Sequence, residues 1–239
     1  MNTYNTDKFV AGLNNIGIML TDERIEQFLA YYEMLVEKNK VMNLTAITEF
    51  DEVIEKHFLD SLQIAKYVDL DNKTLIDIGT GAGFPGIPLK IAFPQLKVVL
   101  LDSLNKRIKF LDEVIHELGL VDVETLHGRA EDYGKRADYR EQFDFCVSRA
   151  VANLSSLSEY CIPFVKKDGY FIPYKSGNID EELQSANKAV FLLGGKLEKV
   201  EKFALEDSQR SFVFIKKVNN TAKKYPRKAG LPTKEPLGW

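Results

Sequence analysis

Apolar and polar residues alternate along the chain with a period that changes partway. Up to about residue 67 the period is helical. In TDERIEQFLAYYEMLVEKN, Ile25, Phe28, Leu29, Tyr32, Leu35 and Val36 fall on one stripe behind Thr21, a suitable N-cap. In EFDEVIEKHFLDSLQIAKYV a second stripe carries Val53, Ile54, Phe58 and Leu62. Such helices bury too little alone, so residues 1–67 are expected to form a helical cap on the next domain. The link VMNLTAI is compact, with Asn43 and Thr45 able to bond backbone groups. From Lys73 onward short apolar runs alternate with helical stretches, the signature of a parallel sheet with crossover helices over residues 68–218. Strands are expected at 74–78, 96–101, 121–126, 143–147 and 169–174. Two closing antiparallel strands are expected at 196–203 and 210–217, joined by a turn around EDSQ.

Between the first strand and the first crossover helix lies TLIDIGTGAGFPGIP, with Gly79, Gly81 and Gly83 at alternate positions. Glycines there admit backbone angles closed to other residues and let a ligand approach the main chain, so the turn is read as a ligand seat. A tight turn without a ligand is the plain alternative, but three such glycines cost stability unless something requires them. The dinucleotide fingerprint G-x-G-x-x-G can be laid over Gly81, Gly83 and Gly86, though in that register the turn does not follow the strand directly. The register D-x-G-x-G-x-G from Asp77 to Gly83 does. It resembles the first motif of Rossmann-like methyltransferases that use S-adenosylmethionine (AdoMet). An acid at the strand end would repel a pyrophosphate but could pair with the ammonium of a methionine moiety, which favours AdoMet over NAD.

Further candidates sit at the carboxyl ends of the later strands, where open α/β sheets bind ligands. Asp102 ends the second strand and is placed either for the ribose hydroxyls of an adenosine or as a cap for the helix NKRIKFLDEVIHELGL. Ala130 and Glu131, in the loop after the third strand, would meet the adenine edge. Arg149 ends the fourth, central strand and could clamp a phosphate or a guanine O6. Lys175 stands at the sheet's rim with the same options. His57 and Asp60, one helical turn apart, either tie the cap to the sheet or line the cleft, and two such ligands without a nearby Cys or second His leave a zinc site incomplete.

Net charge is −3, which argues against a wholly basic nucleic-acid coat, but the sign is segregated. The segment 219–239 carries Lys223, Lys224, Arg227 and Lys228, expected to form a basic tail that orders on an RNA backbone. Cys146 and Cys161 sit among apolar residues, as buried free thiols do, which suits a reducing cytoplasm. Neither a leader nor a membrane span is expected, and nothing asks for an obligate protein partner.

The stretches NLTAI (43–47), HFLDSL (57–62), DIGTGAGFPGIPL (77–89), AEDYG (130–134), SRAVANL (148–154), YKSG (174–177) and RKAGLPTKEPL (227–237) together resemble the bacterial small-subunit ribosomal RNA guanine-N7 methyltransferase family. The resemblance implies a Rossmann-like AdoMet-dependent methyltransferase fold, α/β, with a mostly parallel seven-stranded sheet. It implies methyl transfer from AdoMet to N7 of one guanine in 16S rRNA, with Gly79, Phe84, Ala130, Glu131 and Arg149 at the cofactor and the small ribosomal subunit or its RNA as partner. By residue chemistry Arg149 or Lys175 would position the substrate without a general base, while Asp77 and Asp102 hold the cofactor. A small-molecule methyltransferase and a non-catalytic RNA-binding protein on the same fold are the alternatives.

Overall fold

A computed structural model describes residues 4–205 and 208–238. Strands β1 (Thr74–Ile78), β2 (Lys97–Asp102), β3 (Val123–His127), β4 (Phe143–Arg149) and β5 (Val165–Ser176) pair in parallel. Strands β6 (Gly195–Leu205) and β7 (Ser208–Lys217) join antiparallel, giving the order β3-β2-β1-β4-β5-β7-β6. The turn expected around EDSQ lies partly outside the described residues. Alternation along each strand divides the apolar side chains between two cores. Leu75, Val98 and Leu100 face one; Ile76, Ile78, Val99 and Leu101 face the other.

The first core also takes up the N-terminal helices. These are α1 (Asp7–Ile16), α2 (Asp22–Met42) and a segment that begins as α3 (Phe50–Val53), passes through a π-turn (Ile54–Leu59) and continues as α4 (Asp60–Leu62). Phe9, Phe28 and Phe58 meet there, with ring centroids 4.9 to 6.1 Å apart. Thr21 caps α2 as expected, its side chain accepting from the Arg24 N–H. Helix α1 is an addition to the sequence reading: Phe9, Leu13 and Ile16 form its buried stripe. Gly12 lets Leu59 approach, since a Cβ at that position would lie 2.4 Å from the leucine Cδ1.

Helices α5 (Gly86–Ala92) and α6 (Asn105–Glu117) come after β1 and β2; α7 (Ala130–Tyr133) comes after β3. On the opposite face, α8 (Leu154–Cys161) and α9 (Asp180–Leu192) cover the second core. Both cysteines are buried and free. No helix among the described residues is long and apolar enough to cross a membrane.

The C-terminal segment differs from a solvated tail. It lies along the domain, enters the short α10 (Leu231–Lys234), and buries Thr221, Tyr225 and Pro232. Arg140 holds it there by donating to the carbonyls of Thr221 (2.6 Å), Tyr225 (2.9 Å) and Gly134 (2.8 Å). Main-chain carbonyls in an irregular segment need donors, and one guanidinium supplies several.

Candidate active site

The glycine turn takes the shape its sequence demands. Gly79, Gly81 and Gly83 have φ of 70°, 63° and 107°, in the region that favours glycine. Their surroundings differ, however. At Gly81 an added Cβ would meet nothing nearer than the Gly79 carbonyl at 4.0 Å, whereas at Gly79 it would meet Val151 at 2.6 Å. Gly83 faces inward, with the Tyr31 hydroxyl 2.7 Å from where its Cβ would stand. Gly83 therefore serves packing rather than the cofactor contact expected of it, and Tyr31 donates to the Ala82 carbonyl at 2.5 Å.

Asp77 also departs from expectation. Its carboxylate is fully buried and lines neither of the two cavities that flank the turn; Oδ2 accepts from Thr80 Oγ1 (2.7 Å) and from the Gly86 N–H (3.0 Å). Oδ1 has no partner. Burial raises its pKa to about 6, against the lowering effect of the hydrogen bonds from Thr80 and Gly86. Instead of meeting a ligand's ammonium, Asp77 fastens the two ends of the turn together. The same bond occupies the first N–H of α5, so the dinucleotide register finds a carboxylate where its pyrophosphate would go.

Asp102 is buried as well. Oδ2 accepts from the Gly81 N–H (2.9 Å) and Arg107 Nη1 (3.2 Å), and Oδ1 accepts from the Leu104 N–H (2.9 Å). It thus fixes the glycine turn against β2 and leads the chain into α6.

Two cavities meet at Gly79. One, about 550 Å³, is lined by Thr45, His57, Gly79, Gly81, Phe84 and Arg149, with Lys175 and Arg210 also on its wall. The other, about 340 Å³, is lined by Gly79, Leu101, Ser103, Ala130, Glu131 and Gly230. Of the cofactor candidates, Gly79, Gly81, Phe84 and Arg149 thus wall the first cavity, and Ala130 and Glu131 wall the second. Gly230 is a wall that the sequence reading missed: its N–H donates to Glu131 Oε1 at 2.8 Å, so the C-terminal segment closes the smaller cavity.

At the mouth of the larger cavity a polar cluster joins the cap to the sheet. Asp60, 3 % exposed, accepts from Arg149 Nη1 (2.8 Å) and from Arg210 Nε (3.3 Å). Arg149 Nη2 lies 3.4 Å from His57 Nδ1, and the guanidinium sits over the Phe84 ring at 5.0 Å. His57 stacks on the same ring, centroids 4.6 Å apart, and burial beside Arg149 lowers its pKa to about 4, so it is neutral. Both readings of the His57/Asp60 pair therefore hold at once: they tie the cap down and they line the cleft. Lys175 donates to the Ala152 carbonyl (2.9 Å) and to Glu182 (2.6 Å).

The basic residues of the C-terminal segment divide. Lys223, Lys224 and Lys228 are exposed. Arg227 is tied to the fold: its Nε donates to both oxygens of the fully buried Glu159 (2.9 and 3.0 Å), and Nη2 adds a bond of 2.7 Å. A buried carboxylate must be paired, and the bidentate guanidinium is its partner.

This groove fits AdoMet in its own terms: an unobstructed backbone at Gly81, a pocket for a base beside Ala130, and an aromatic and a cation beside Gly79. The profile of the rRNA small subunit methyltransferase G family matches residues 24–213. Ribosomal RNA small subunit methyltransferase G of Lachnoclostridium phytofermentans is 56 % identical over 96 % of both chains. That of Bacillus subtilis is 49 % identical over 98 % of this chain and 99 % of its own. Among solved structures, M. jannaschii TYW2 in complex with AdoMet superposes with a TM-score of 0.56 at 15 % identity, covering 72 % of this chain and 80 % of that one, a likeness of fold. The chain belongs to the rRNA small subunit methyltransferase G family, and is an AdoMet-dependent enzyme that methylates guanine N7 of 16S rRNA.

Proposed function

We propose that the larger cavity receives the target guanine, presented by 16S rRNA or the small ribosomal subunit in the cytoplasm, and that transfer proceeds by alignment without a general base. The observation that carries this reading is the meeting at Gly79 of the cofactor groove with a mouth whose rim holds Lys56, Arg107, Arg149, Lys175 and Arg210. Such a rim suits a polyanion better than a neutral metabolite. Guanine N7 already carries a lone pair, so no proton need be removed before attack. In keeping with that, the imidazole nearest the groove is a weak base, and its Nε2 is engaged by Thr45 at 2.8 Å.

Bound AdoMet supplies a methyl group activated by its sulfonium. The residues then divide the remaining work. Asp77 and Asp102 hold the glycine turn in shape, and Ala130 and Glu131 border the base pocket. Phe84, covered by His57 and Arg149, which touch each other over its ring, keeps water from the reacting centre. Arg149 has N–H groups beyond those given to Asp60, Lys56 and His57 and turns them toward the cofactor or a substrate phosphate; Lys175 has a third N–H for an adjacent phosphate. Holding reactants in line supplies several kcal/mol of the barrier on the order seen for oriented reactions.

The test is transfer of labelled methyl from AdoMet to small subunits from a strain lacking the gene, with the modified base mapped. Label at N7 of a single guanine is expected. Label that appears instead in an RNA-free metabolite extract would overturn the reading.

A further inference from the structure

Two acids stand on the wall of the larger cavity beside the five cations of its rim. Asp60 is spent, its Oδ2 given to Arg149 and its Oδ1 to Arg210. Glu182, in the first turn of α9, is spent only by half. Its Oε1 accepts from the Leu154 N–H and from Lys175 Nζ (2.6 Å), while Oε2 has no partner among the described residues. The side chain is 25 % exposed, so that oxygen can be reached.

The two bonds to Oε1 fix how the carboxylate stands. Lys175 donates in turn to the Ala152 carbonyl at 2.9 Å, so the backbone on both sides of Asn153 is tied to this pair. A carboxylate oxygen offers two lone-pair sites, and those of Oε2 stay open beside the cavity. An open acceptor there would repel a phosphate; it calls for a ligand that brings donors. Among the groups an RNA presents, guanine carries two donors side by side, N1–H and the N2 amino group, across the ring from N7. Adenine carries a bare lone pair at N1.

We propose that Glu182 is a specificity-determining residue of the methyl transfer, its Oε2 accepting from N1–H and the N2 amino group of the target guanine while N7 is left free to react. The assignment rests on the reading of this cavity as the guanine seat. An adenine in the same place would set a lone pair against a carboxylate, and a site built for donors rejects a base that lacks them. Lys175 balances the charge of Glu182, so the carboxylate can face the base without expelling the phosphates on either side of it.

The test uses small subunits reconstituted with 16S rRNA that carries guanine, hypoxanthine or 2-aminopurine at the mapped position. Hypoxanthine keeps N1–H and lacks the amino group; 2-aminopurine keeps the amino group and has a lone pair at N1. By kcat/KM the wild-type protein is expected to methylate hypoxanthine roughly tenfold more slowly than guanine, and 2-aminopurine more slowly again. Glu182→Gln keeps an oxygen for Leu154 and Lys175 and turns an amide donor toward the base. It should lose roughly tenfold or more on guanine and nothing on 2-aminopurine, whose N1 can accept from the amide. Intrinsic differences between the bases cancel when each variant rate is divided by the wild-type rate on the same base. A loss by one factor on every base would mark a structural role and overturn the proposal, as would a wild-type rate indifferent to N1–H and the amino group, with guanine N7 still labelled. Should Glu182→Gln fail to fold, the wild-type series over the three bases decides. If the wild type leaves guanine N7 unlabelled, the reading of the cavity falls and the role of Glu182 falls with it.

Discussion

Arg149 at the mouth of the cleft and Arg227 in the C-terminal segment each face a buried carboxylate, but the charge balance around them is opposite. At the mouth, two arginines, Arg149 and Arg210, share the one carboxylate of Asp60, and the site is left with cationic surplus. In the C-terminal segment, Arg227 binds Glu159 with both of its oxygens engaged, leaving no charge over. The surplus over buried partners, rather than the number of basic residues, marks where an anionic ligand can be met. A guanidinium that balances a fully buried anion belongs to the fold.

Substitution of each arginine separates the two roles. Arg227→Ala should give the largest effect, a loss of about 3–5 kcal/mol in unfolding free energy by denaturant titration, because Glu159 is left charged and unpaired. Glu159→Gln in the same chain should recover part of it. Arg149→Ala should reduce stability by only about 1 kcal/mol, since Asp60 keeps Arg210. Its kcat/KM on small subunits should fall about 100-fold. Equal losses of stability at both positions would break the contrast. The smallest effect is expected where Lys223, Lys224 and Lys228 are replaced together by Ala. Folding should be unchanged, and the slope of log affinity against log salt should shrink by about 2. An unchanged slope would remove these lysines from the RNA contact.

How far each interaction reaches along the chain decides whether it can be read from sequence. Strand positions were legible because burial repeats every second residue, as at Leu75, Ile76 and Ile78, and Thr21 announced α2 because a cap acts within three residues. The glycine turn was legible for the same local reason. The partners of its acids were not: Asp77 finds Gly86 nine positions on, and Asp102 finds the Gly81 N–H across the turn. An acid at a strand end reads as a ligand contact when it serves the backbone. The cluster at the mouth was half legible. His57 and Asp60 showed themselves by spacing, although their segment includes a π-turn, a form often met at functional sites. Arg210 joins Asp60 from 150 positions away, and no local pattern reports that. In the C-terminal segment, lysines dominated the reading while Tyr225 and Pro232, which do the docking, passed without notice.

Tyr31 carries a further consequence. Its ring is fully buried in the N-terminal helices, stacked on Phe58 at 5.6 Å, and its hydroxyl reaches the glycine turn. Folding of the first helices and occupancy of the nucleoside seat are therefore linked equilibria. A ligand bound at hundredfold excess over its dissociation constant should lend about 2.7 kcal/mol to the native state, and amide exchange should slow in α2 as well as around the seat.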